Sequence, residues 1–360
     1  MRRKADTGMR KGRLLKSIAA GLAALILAMG SAAAEGSRYP TFRDALRYAQ
    51  ENHPAEMELG TVKYGAKYLW QIRQAMGEDG ILHFTTTGYG GTLTEKSTEI
   101  TVGKNQRIST EEIEWLIRLC PDLKKIDVTE HYYLGNKGMI ALVEAYPEID
   151  FRWKITIRGR RRINSDCTAY SSWSGQSQTD KIRSRDLEVL KYVPGLKALD
   201  LGHSEITSLD FLQYCPDLEL LILGDNQGVT DLTPIGELKH LQYLEMFMVG
   251  AEDISPLAGC TELLDLNMST CYKIRDLSPL DGLEKLERFW GNSMKGLSEE
   301  EKERFMAAHP DTECMFEKTH ATAGTWRKHD RYDHYIWCLG TGTWIPFDQP
   351  LPEGAGKKSK

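Results

Sequence analysis

The sequence predicts an α/β solenoid, a coil of short repeats whose strands form one parallel β-sheet. Between Leu196 and Phe289 the strand pattern L-x-x-L-x-L starts again after 22, 23, 22 and 23 residues. A turn and a second apolar triplet follow each strand, and both longer units carry their extra residue at the same point of the turn. Because a single unit cannot bury its own apolar face, the repeats are expected to stack into a continuous core.

The apolar positions of these repeats fall into two sets, one in the strand and one in the chain that returns to the next strand. The strand triplets are Leu196/Leu199/Leu201, Leu218/Leu221/Leu223, Leu241/Leu244/Met246, Leu263/Leu266/Met268 and a degenerate Leu286/Phe289/Gly291. The return triplets are Ile206/Leu209/Leu212, Val229/Leu232/Ile235, Ala251/Ile254/Leu257 and Ile274/Leu277/Leu280. Both sets are predicted to point into the coil.

The pattern resembles bacterial leucine-rich repeats of the internalin-like kind, in which L-x-x-L-x-L-x-x-N/C precedes a return that carries a proline. Asn226 and Cys271 occupy the N/C position, whereas Ser204, Val249 and Met294 depart from it. The prolines of the returns are Pro234, Pro256 and Pro279. The resemblance covers residues 187–295. It implies a leucine-rich repeat with a concave parallel sheet, a helical or irregular convex side, terminal caps and a role in protein binding.

The N-terminal 34 residues are predicted to be a signal peptide. Seven basic residues precede the apolar stretch 18–29, and the alanines 32–34 offer a cleavage site before Glu35. An uncleaved anchor is the alternative, but a helix that spans a bilayer needs about 20 apolar residues. The protein is therefore expected to be secreted or to lie on the extracellular surface, with no stable membrane insertion after cleavage.

The remaining chain is predicted to comprise four segments. They are an N-terminal cap with long irregular repeats at 35–186, which includes an insertion at about 158–182; regular repeats at 187–295; a C-terminal helix and aromatic cap at 296–349; and a disordered tail at 350–360. Capping boxes, S-x-x-E, predict helices that start after Ser109 and after Ser298. Further strands are expected around Met57, Leu82 and Ile100.

Charge and cysteine usage limit the possible partners. The formal net charge is −5, and loss of residues 1–34, which carry seven basic and one acidic residue, would make it −11. Such a surface repels nucleic acid, so no nucleic-acid partner is expected. Cys120, Cys215 and Cys260 recur just before a strand and are predicted to be small buried hydrophobes. Whether the remaining thiols Cys167, Cys314 and Cys338 form disulfides stays open.

The residues between the leucines are predicted to line the concave face of the sheet, called the outer face below. An aromatic and apolar patch rimmed by charge is typical of a protein-binding surface. The candidate ligand-binding residues are Leu220, Ile222, Tyr243, Glu245, Phe247, Asp265, Asn267, Arg288 and Trp290. In the alternative interpretation, the C-terminal segment folds back over some of these rings.

The sequence thus predicts a non-catalytic protein-binding module, with the ligand and the oligomeric state left open. No cofactor or metal is expected, because the His329 and His334 spacing matches no zinc pattern. An alternative is a carbohydrate-binding or carbohydrate-active protein that uses the 158–182 insertion or the aromatic C-terminal segment. It would need Trp173, Trp326 or Trp344 exposed in a row. Another alternative is a surface component that self-associates through a solenoid edge.

Overall fold

Two units make up the chain, Met1–Ile126 and Asp127–Lys360. The computed structural model describes residues 38–131, 133–172 and 181–355. The expected signal peptide, Trp173 and residues 356–360 of the expected disordered tail lie outside this described part. Within the described ranges, none of the helices is long and apolar enough to cross a membrane. The boundary between the units falls inside the predicted 35–186 segment, at a point where the sequence gives no break in pattern.

Helices and strands alternate in the first unit. In chain order they are α1 (Phe42–Asn52), β1 (Glu56–Val62), α2 (Ala66–Met76), β2 (Ile81–Gly88), β3 (Gly91–Thr94), β4 (Glu99–Thr101), α3 (Thr110–Leu119) and β5 (Lys125–Asp127). Strands β1 and β2 pair in parallel, and β2 and β3 form an antiparallel hairpin. The Ser109 Oγ accepts a hydrogen bond of 3.1 Å from the Glu112 backbone N–H, which confirms the cap predicted for α3.

The second unit begins with α4 (Asn136–Ala145) and three short strands, β6 (Asp150–Arg152), β7 (Lys154–Arg158) and β8 (Arg161–Asn164). The regular strands follow as β9 (Ala169–Ser171), β10 (Ala198–Asp200), β11 (Leu220–Ile222), β12 (Tyr243–Glu245), β13 (Asp265–Asn267), β14 (Arg288–Trp290) and β15 (Glu313–Met315). Helix α5 (Glu299–Ala308) lies between β14 and β15, and α6 (Asp330–Thr341) follows β15.

Strands β9 to β15 form one parallel sheet in chain order, which confirms the predicted solenoid. The register pairs Leu199 with Leu221, Leu221 with Leu244, and Leu244 with Leu266. Every leucine of the strand triplets is buried, and so are the return triplets. The returns fold as 3-10 helices, namely Ser184–Tyr192, Asp210–Tyr214, Thr233–Glu237, Ser255–Gly259 and Ser278–Leu280.

Part of the predicted insertion is a rung of the sheet. Strands β7 and β8 form an antiparallel hairpin, and β9 pairs in parallel with β10. The sequence concealed β9 because its residues, Ala-Tyr-Ser, lack the leucine pattern. Residues far away in the sequence hold it in place, since the backbone N–H groups of Thr168 and Ala169 donate to the Gly342 carbonyl at 3.0 and 3.2 Å.

The turns after the strands repeat one backbone conformation. A non-glycine residue with positive φ recurs once per repeat, at His203, Asp225, Met248, Thr270 and Ser293, with φ between 54° and 61°. The following residue is the N/C position. There the Asn226 side chain donates to the carbonyls of Leu201 and Leu223 and accepts from the Ile206 N–H. The Cys271 thiol donates to the Met246 carbonyl at 3.3 Å. Side-chain hydrogen bonds therefore tie together only some of the turns.

Candidate functional site: the outer face of the sheet

All nine predicted site residues lie on the outer face of the sheet or directly beyond it. The register aligns Leu220, Tyr243, Asp265 and Arg288 in one row. It aligns Ile222, Glu245, Asn267 and Trp290 in a second row. Each of these residues, and Phe247, is at most 7% exposed. The expectation of an open patch is therefore wrong for this structure, whereas a role in ligand binding stays a prediction.

The chain's own C-terminal part, residues 316–351, covers this face and is called the covering segment. It includes a 3-10 helix, Trp326–Lys328, and helix α6. Its buried side chains Trp326, Tyr335, Cys338 and Trp344 form one apolar cluster with the sheet residues Ala169, Ala198, Leu220, Ile222, Tyr243 and Trp290. This packing is favourable because it removes the rings of the sheet and the rings of the covering segment from water.

Local sequence explains where α6 begins and ends. The His329 Nδ1 atom accepts a hydrogen bond of 3.2 Å from the Arg331 N–H at the N-terminus of the helix. Gly342 ends the helix with a φ of 76°, a conformation that favours glycine. The chain then returns to the sheet, where the Trp344 Nε1 donates to the Glu219 Oε2 at 2.7 Å. The histidines of this region therefore take structural positions.

Trp326 is a fully buried contact between the covering segment and the sheet. Its ring centroid lies 5.5 Å from that of Tyr243 and 5.2 Å from that of Trp290. The Arg288 guanidinium carbon lies 4.6 Å from the Trp326 ring centroid, within the range of a cation–π interaction. The Trp326 Nε1 donates to the Glu245 Oε2 at 2.8 Å. The sheet thus provides both an aromatic pocket and a polar partner for one indole.

Sheet side chains also hold the main chain of the covering segment just before Trp326. The Ser293 Oγ donates to the Thr319 carbonyl at 3.0 Å, and the Asn292 Nδ2 donates to the His320 carbonyl at 3.3 Å. Asn267 Nδ2 donates to the Ala321 carbonyl at 3.0 Å, Trp290 Nε1 to the Ala323 carbonyl at 3.0 Å, and Arg288 Nη2 to the Trp326 carbonyl at 3.0 Å. The donors belong to the sheet and the acceptors are backbone atoms, so this contact is largely independent of side-chain identity.

Opposite charges meet across the same contact. Arg331 of the covering segment lies 2.9 Å from the Asp265 Oδ2, and Arg288 of the sheet lies 3.1 Å from the Asp265 Oδ1. Arg331 also bonds to Glu287, and the Arg327 guanidinium lies 3.7 Å from the Glu245 Oε1. Burial raises the pKa of Glu245 and of Asp265, although these arginines act in the opposite direction. The covering segment therefore supplies cations to a sheet face that carries buried carboxylates.

These carboxylates are engaged in structural contacts. The Asp200 Oδ2 accepts from the Ser171 Oγ at 2.6 Å, and its Oδ1 accepts from the Gly202 N–H at 2.9 Å. Glu245 and Asp265 are occupied by Trp326 and by arginines, as described above. In the described part of the chain, no group of three His, Cys, Asp or Glu side chains is placed to hold a metal ion. The arrangement can bind a polypeptide segment, and its polar atoms face that segment.

Sequence reasoning placed the nine residues on this face and offered the C-terminal cover only as the alternative interpretation, and it did not name three further donors as binding residues. Ser269, Asn292 and Ser293 follow the strands and contribute hydrogen bonds to residues 319–321. Aromatic residues are dense between Trp326 and Phe347. This density could have revealed the contact, because so many rings need an apolar surface to pack on. Arg327 and Arg331, in the same stretch, match the acidic residues of the face.

Among solved structures, the chain is similar to two internalins of Listeria monocytogenes, the kind of protein that its repeat pattern resembles. For internalin C2 the identity is 18% and the TM-score 0.28, with 59% of this chain and 85% of that chain covered. For an internalin named InlF the identity is 15% and the TM-score 0.34, with 78% and 84% covered. Similarity at this level carries no argument about binding. The sequence matches no protein-family model and no curated protein.

Proposed function

We propose that the protein is an exported, non-catalytic protein-binding module that uses the outer face of its sheet. One observation carries this proposal, namely that the face already holds a polypeptide. Side chains of the sheet and of the turn after it bind the backbone carbonyls of Thr319, His320, Ala321, Ala323 and Trp326, and an aromatic pocket encloses Trp326. Burial of an aromatic anchor together with satisfied polar atoms is the chemistry of a protein interface.

A partner can reach the predicted residues only after the covering segment has moved. Glu245 and Asp265 are buried carboxylates that a free face would expose to water, whereas apolar side chains such as Tyr243 and Trp290 would lose their cover. A ligand that replaces the segment must therefore supply apolar surface and cations in its place. The function proposed here is thus a competition between a tethered segment and a partner protein.

An engineered disulfide would test whether the covering segment must move. A Cβ atom placed on Gly342 would lie 3.8 Å from the Cβ of Cys167, which matches the separation of about 3.8 Å found in disulfides. Gly342→Cys should therefore lock the end of α6 to the edge of the sheet when oxidised. The positive φ of 76° at this position makes us expect a strain of roughly 1–2 kcal/mol.

The measurement is cross-linking capture of extracellular proteins by the purified chain, with the locked and the reduced Gly342→Cys forms side by side. We expect proteins that bind the outer face to be captured by the reduced form and lost with the oxidised form. The wild-type chain under the same two redox conditions is the control and should capture equally in both. Capture that is identical for locked and unlocked chains would place binding elsewhere.

Export is the second part of the proposal and rests on the basic, apolar and alanine-rich order of residues 1–34. Mass spectrometry of the protein recovered outside the producing cell should give a mature N-terminus at Glu35. Recovery of the full-length chain inside the cell would contradict it.

The carbohydrate alternative lacks its platform in this structure. It required Trp173, Trp326 or Trp344 in an exposed row, but the Trp326 and Trp344 side chains are buried in the cluster between the covering segment and the sheet. Trp173, its third member, lies outside the described residues. The described residues therefore give no observation that favours sugar binding.

A further inference from the structure

We infer that the outer face across β12 to β14 recognises a peptide of defined chemistry, and that residues 319–331 are its resident intramolecular copy. The partner peptide would carry a glycine two residues before a tryptophan and an arginine five residues after it. This inference rests on the proposed function and names the ligand class of the same surface.

The sheet binds residues 319–325 through their main chain. The bonds from Ser293, Asn292, Asn267 and Trp290 all end on backbone carbonyls. The side chains of residues 319–325 are half-buried or exposed. A site that binds main-chain acceptors tolerates changes of sequence, as in other cases of extended peptide recognition. A segment of another protein with a different sequence can therefore make most of the same hydrogen bonds.

Gly324 is the exception within the stretch. Its φ is 72°, and a Cβ atom there would lie 2.5 Å from the Met315 Cε. Since residues with a side chain rarely adopt this conformation, the peptide needs glycine at this position. The requirement fixes the spacing between the bound carbonyls and the tryptophan.

Trp326 is the anchor of the bound segment. Tyr243, Trp290 and Arg288 surround its ring, and Glu245 accepts its indole N–H. A phenylalanine could fill part of this space but would leave the buried Glu245 without that donor, and unsatisfied buried groups are costly. The pocket therefore selects tryptophan.

Charged side chains also match between the segment and the sheet. Arg331 lies in the first turn of α6 and bonds to both Asp265 and Glu287. Asp265 is fully buried beneath it, and burial raises its pKa. A ligand without a cation at this place would leave Asp265 with Arg288 alone. The face therefore favours a peptide that continues into a helix with an arginine five residues after the anchor.

A tether explains why the resident copy occupies the site. A segment linked by a short chain has an effective concentration on the order of millimolar, so a free peptide competes poorly with it. A free peptide is therefore expected to bind only if its affinity is higher than that of the tethered segment, or if the segment's own contacts have been weakened.

The experiment uses the full chain with Trp326→Ala and a fluorescent synthetic peptide of residues 317–331. Fluorescence anisotropy should show that the peptide binds the variant at least tenfold more tightly than it binds the wild-type chain. A peptide with Trp326→Ala is the matched control and should bind the same variant at least tenfold more weakly. Equal affinity of the two peptides, or no binding to a variant whose circular dichroism matches wild type, would overturn the inference.

A second variant covers the case in which Trp326→Ala does not fold. A protease recognition sequence inserted between the exposed residues Glu317 and Lys318 allows the tether to be cut while every native residue is kept. After cleavage, the labelled peptide should exchange into the nicked chain and not into the uncut chain. A nicked, folded chain that excludes the peptide would overturn the inference.

The two proposals fail in different ways. If neither labelled peptide binds but capture remains sensitive to the Gly342→Cys lock, the peptide class is wrong and the binding function stands. If the peptide binds while capture ignores the lock, the site exists but the proposed function of the outer face is wrong.

Discussion

Asn226 shows how one side chain can stabilise a solenoid turn. Its amide contacts three backbone groups, the carbonyls of Leu201 and Leu223 and the N–H of Ile206, at 2.7 to 3.0 Å. These groups belong to two consecutive turns and are buried. The same position in the preceding repeat holds Ser204, for which the described residues provide no hydrogen bond to the hydroxyl. The ladder is therefore strong at one turn and weak at the next.

We expect Asn226→Ala to lower the free energy of unfolding by about 2–4 kcal/mol, because each buried polar group left unpaired costs roughly 1–3 kcal/mol. Ser204→Ala is the control and should change it by less than about 0.5 kcal/mol. Denaturant unfolding followed by circular dichroism measures both. Equal effects of the two substitutions would show that the amide bonds add nothing to the turn.

Glu245 is a buried acid whose titration should be visible in stability. Burial raises its pKa, so the folded protein holds this proton more tightly than the unfolded chain does. The destabilising contribution of the charge is then fully present above the folded pKa. It is relieved as the pH falls through that pKa toward the lower pKa of the unfolded chain.

Glu245→Gln removes that charge and leaves an oxygen to accept the Trp326 N–H. We expect the variant to be more stable than wild type at pH 8, with a difference that shrinks as the pH falls toward 4. Asp231→Asn is the matched control, because hydrogen bonds from Thr233 lower the pKa of the exposed Asp231. It should lose stability relative to wild type at pH 8, with a difference that shrinks below pH 4. Thermal unfolding at several pH values measures both variants. Stability changes of the same sign at pH 8 would contradict the prediction.

At the scale of elements, the returns approach one another at glycines that follow the return proline, by two residues at Gly236 and by three at Gly259 and Gly282. Gly236, Gly259 and Gly282 follow one another at intervals of 23 residues. A Cβ atom on Gly236 would lie 2.7 Å from the Pro256 carbonyl oxygen, and one on Gly259 would lie 2.6 Å from the Gly236 carbonyl oxygen. On Gly282 it would meet nothing within 4 Å. Close backbone approach thus demands glycine in two returns and not in the third.

Substitution by alanine should separate these positions. We expect Gly259→Ala to destabilise the protein by about 1–3 kcal/mol, the usual cost of overpacking. Gly282→Ala should be neutral or stabilise it by up to about 1 kcal/mol, since alanine restricts the unfolded chain. Melting temperatures of the two variants test the prediction. A loss of stability at Gly282 as large as that at Gly259 would contradict it.

At the scale of the whole molecule, the covering segment packs on the outer face of the sheet, whereas the repeats pack on one another through their leucines. The strands and returns pack on one another along the solenoid, whereas the cluster of buried side chains in the segment packs on the outer face. Structural parts with separate contacts can open separately, at lower free energy than global unfolding. Cys338, on α6, and Cys271, in the repeats, are both buried and report on the two parts.

Thiol labelling of the native protein should therefore modify Cys338 faster than Cys271. Burial raises the pKa of Cys271 to about 12 and also raises that of Cys338, so both thiols react only when exposed. Mass spectrometry after timed alkylation gives the two rates. Equal rates would mean that the segment opens only together with the solenoid, which would remove the route to the outer face that the proposed function requires.

Periodicity alone was sufficient to predict the strand order and the leucine core, because residues 22 or 23 apart meet in a coil of constant pitch. The S-x-x-E motifs predicted the caps at Ser109 and Ser298, whose contacts are local. Periodicity did not give β9, whose pairing depends on Gly342, nor the burial of Tyr243 and Trp290.

The sequence by itself determined which face of each strand carries leucines and which carries Tyr243, Glu245, Asp265 and Trp290. Only the tertiary structure decided whether that second face is open, because its cover comes from chain about 80 residues further on, with Trp326 bonded to Glu245. Contacts between residues close in the repeat are written into the pattern of the sequence. Contacts with the covering segment follow from shape and charge complementarity, which no periodicity encodes.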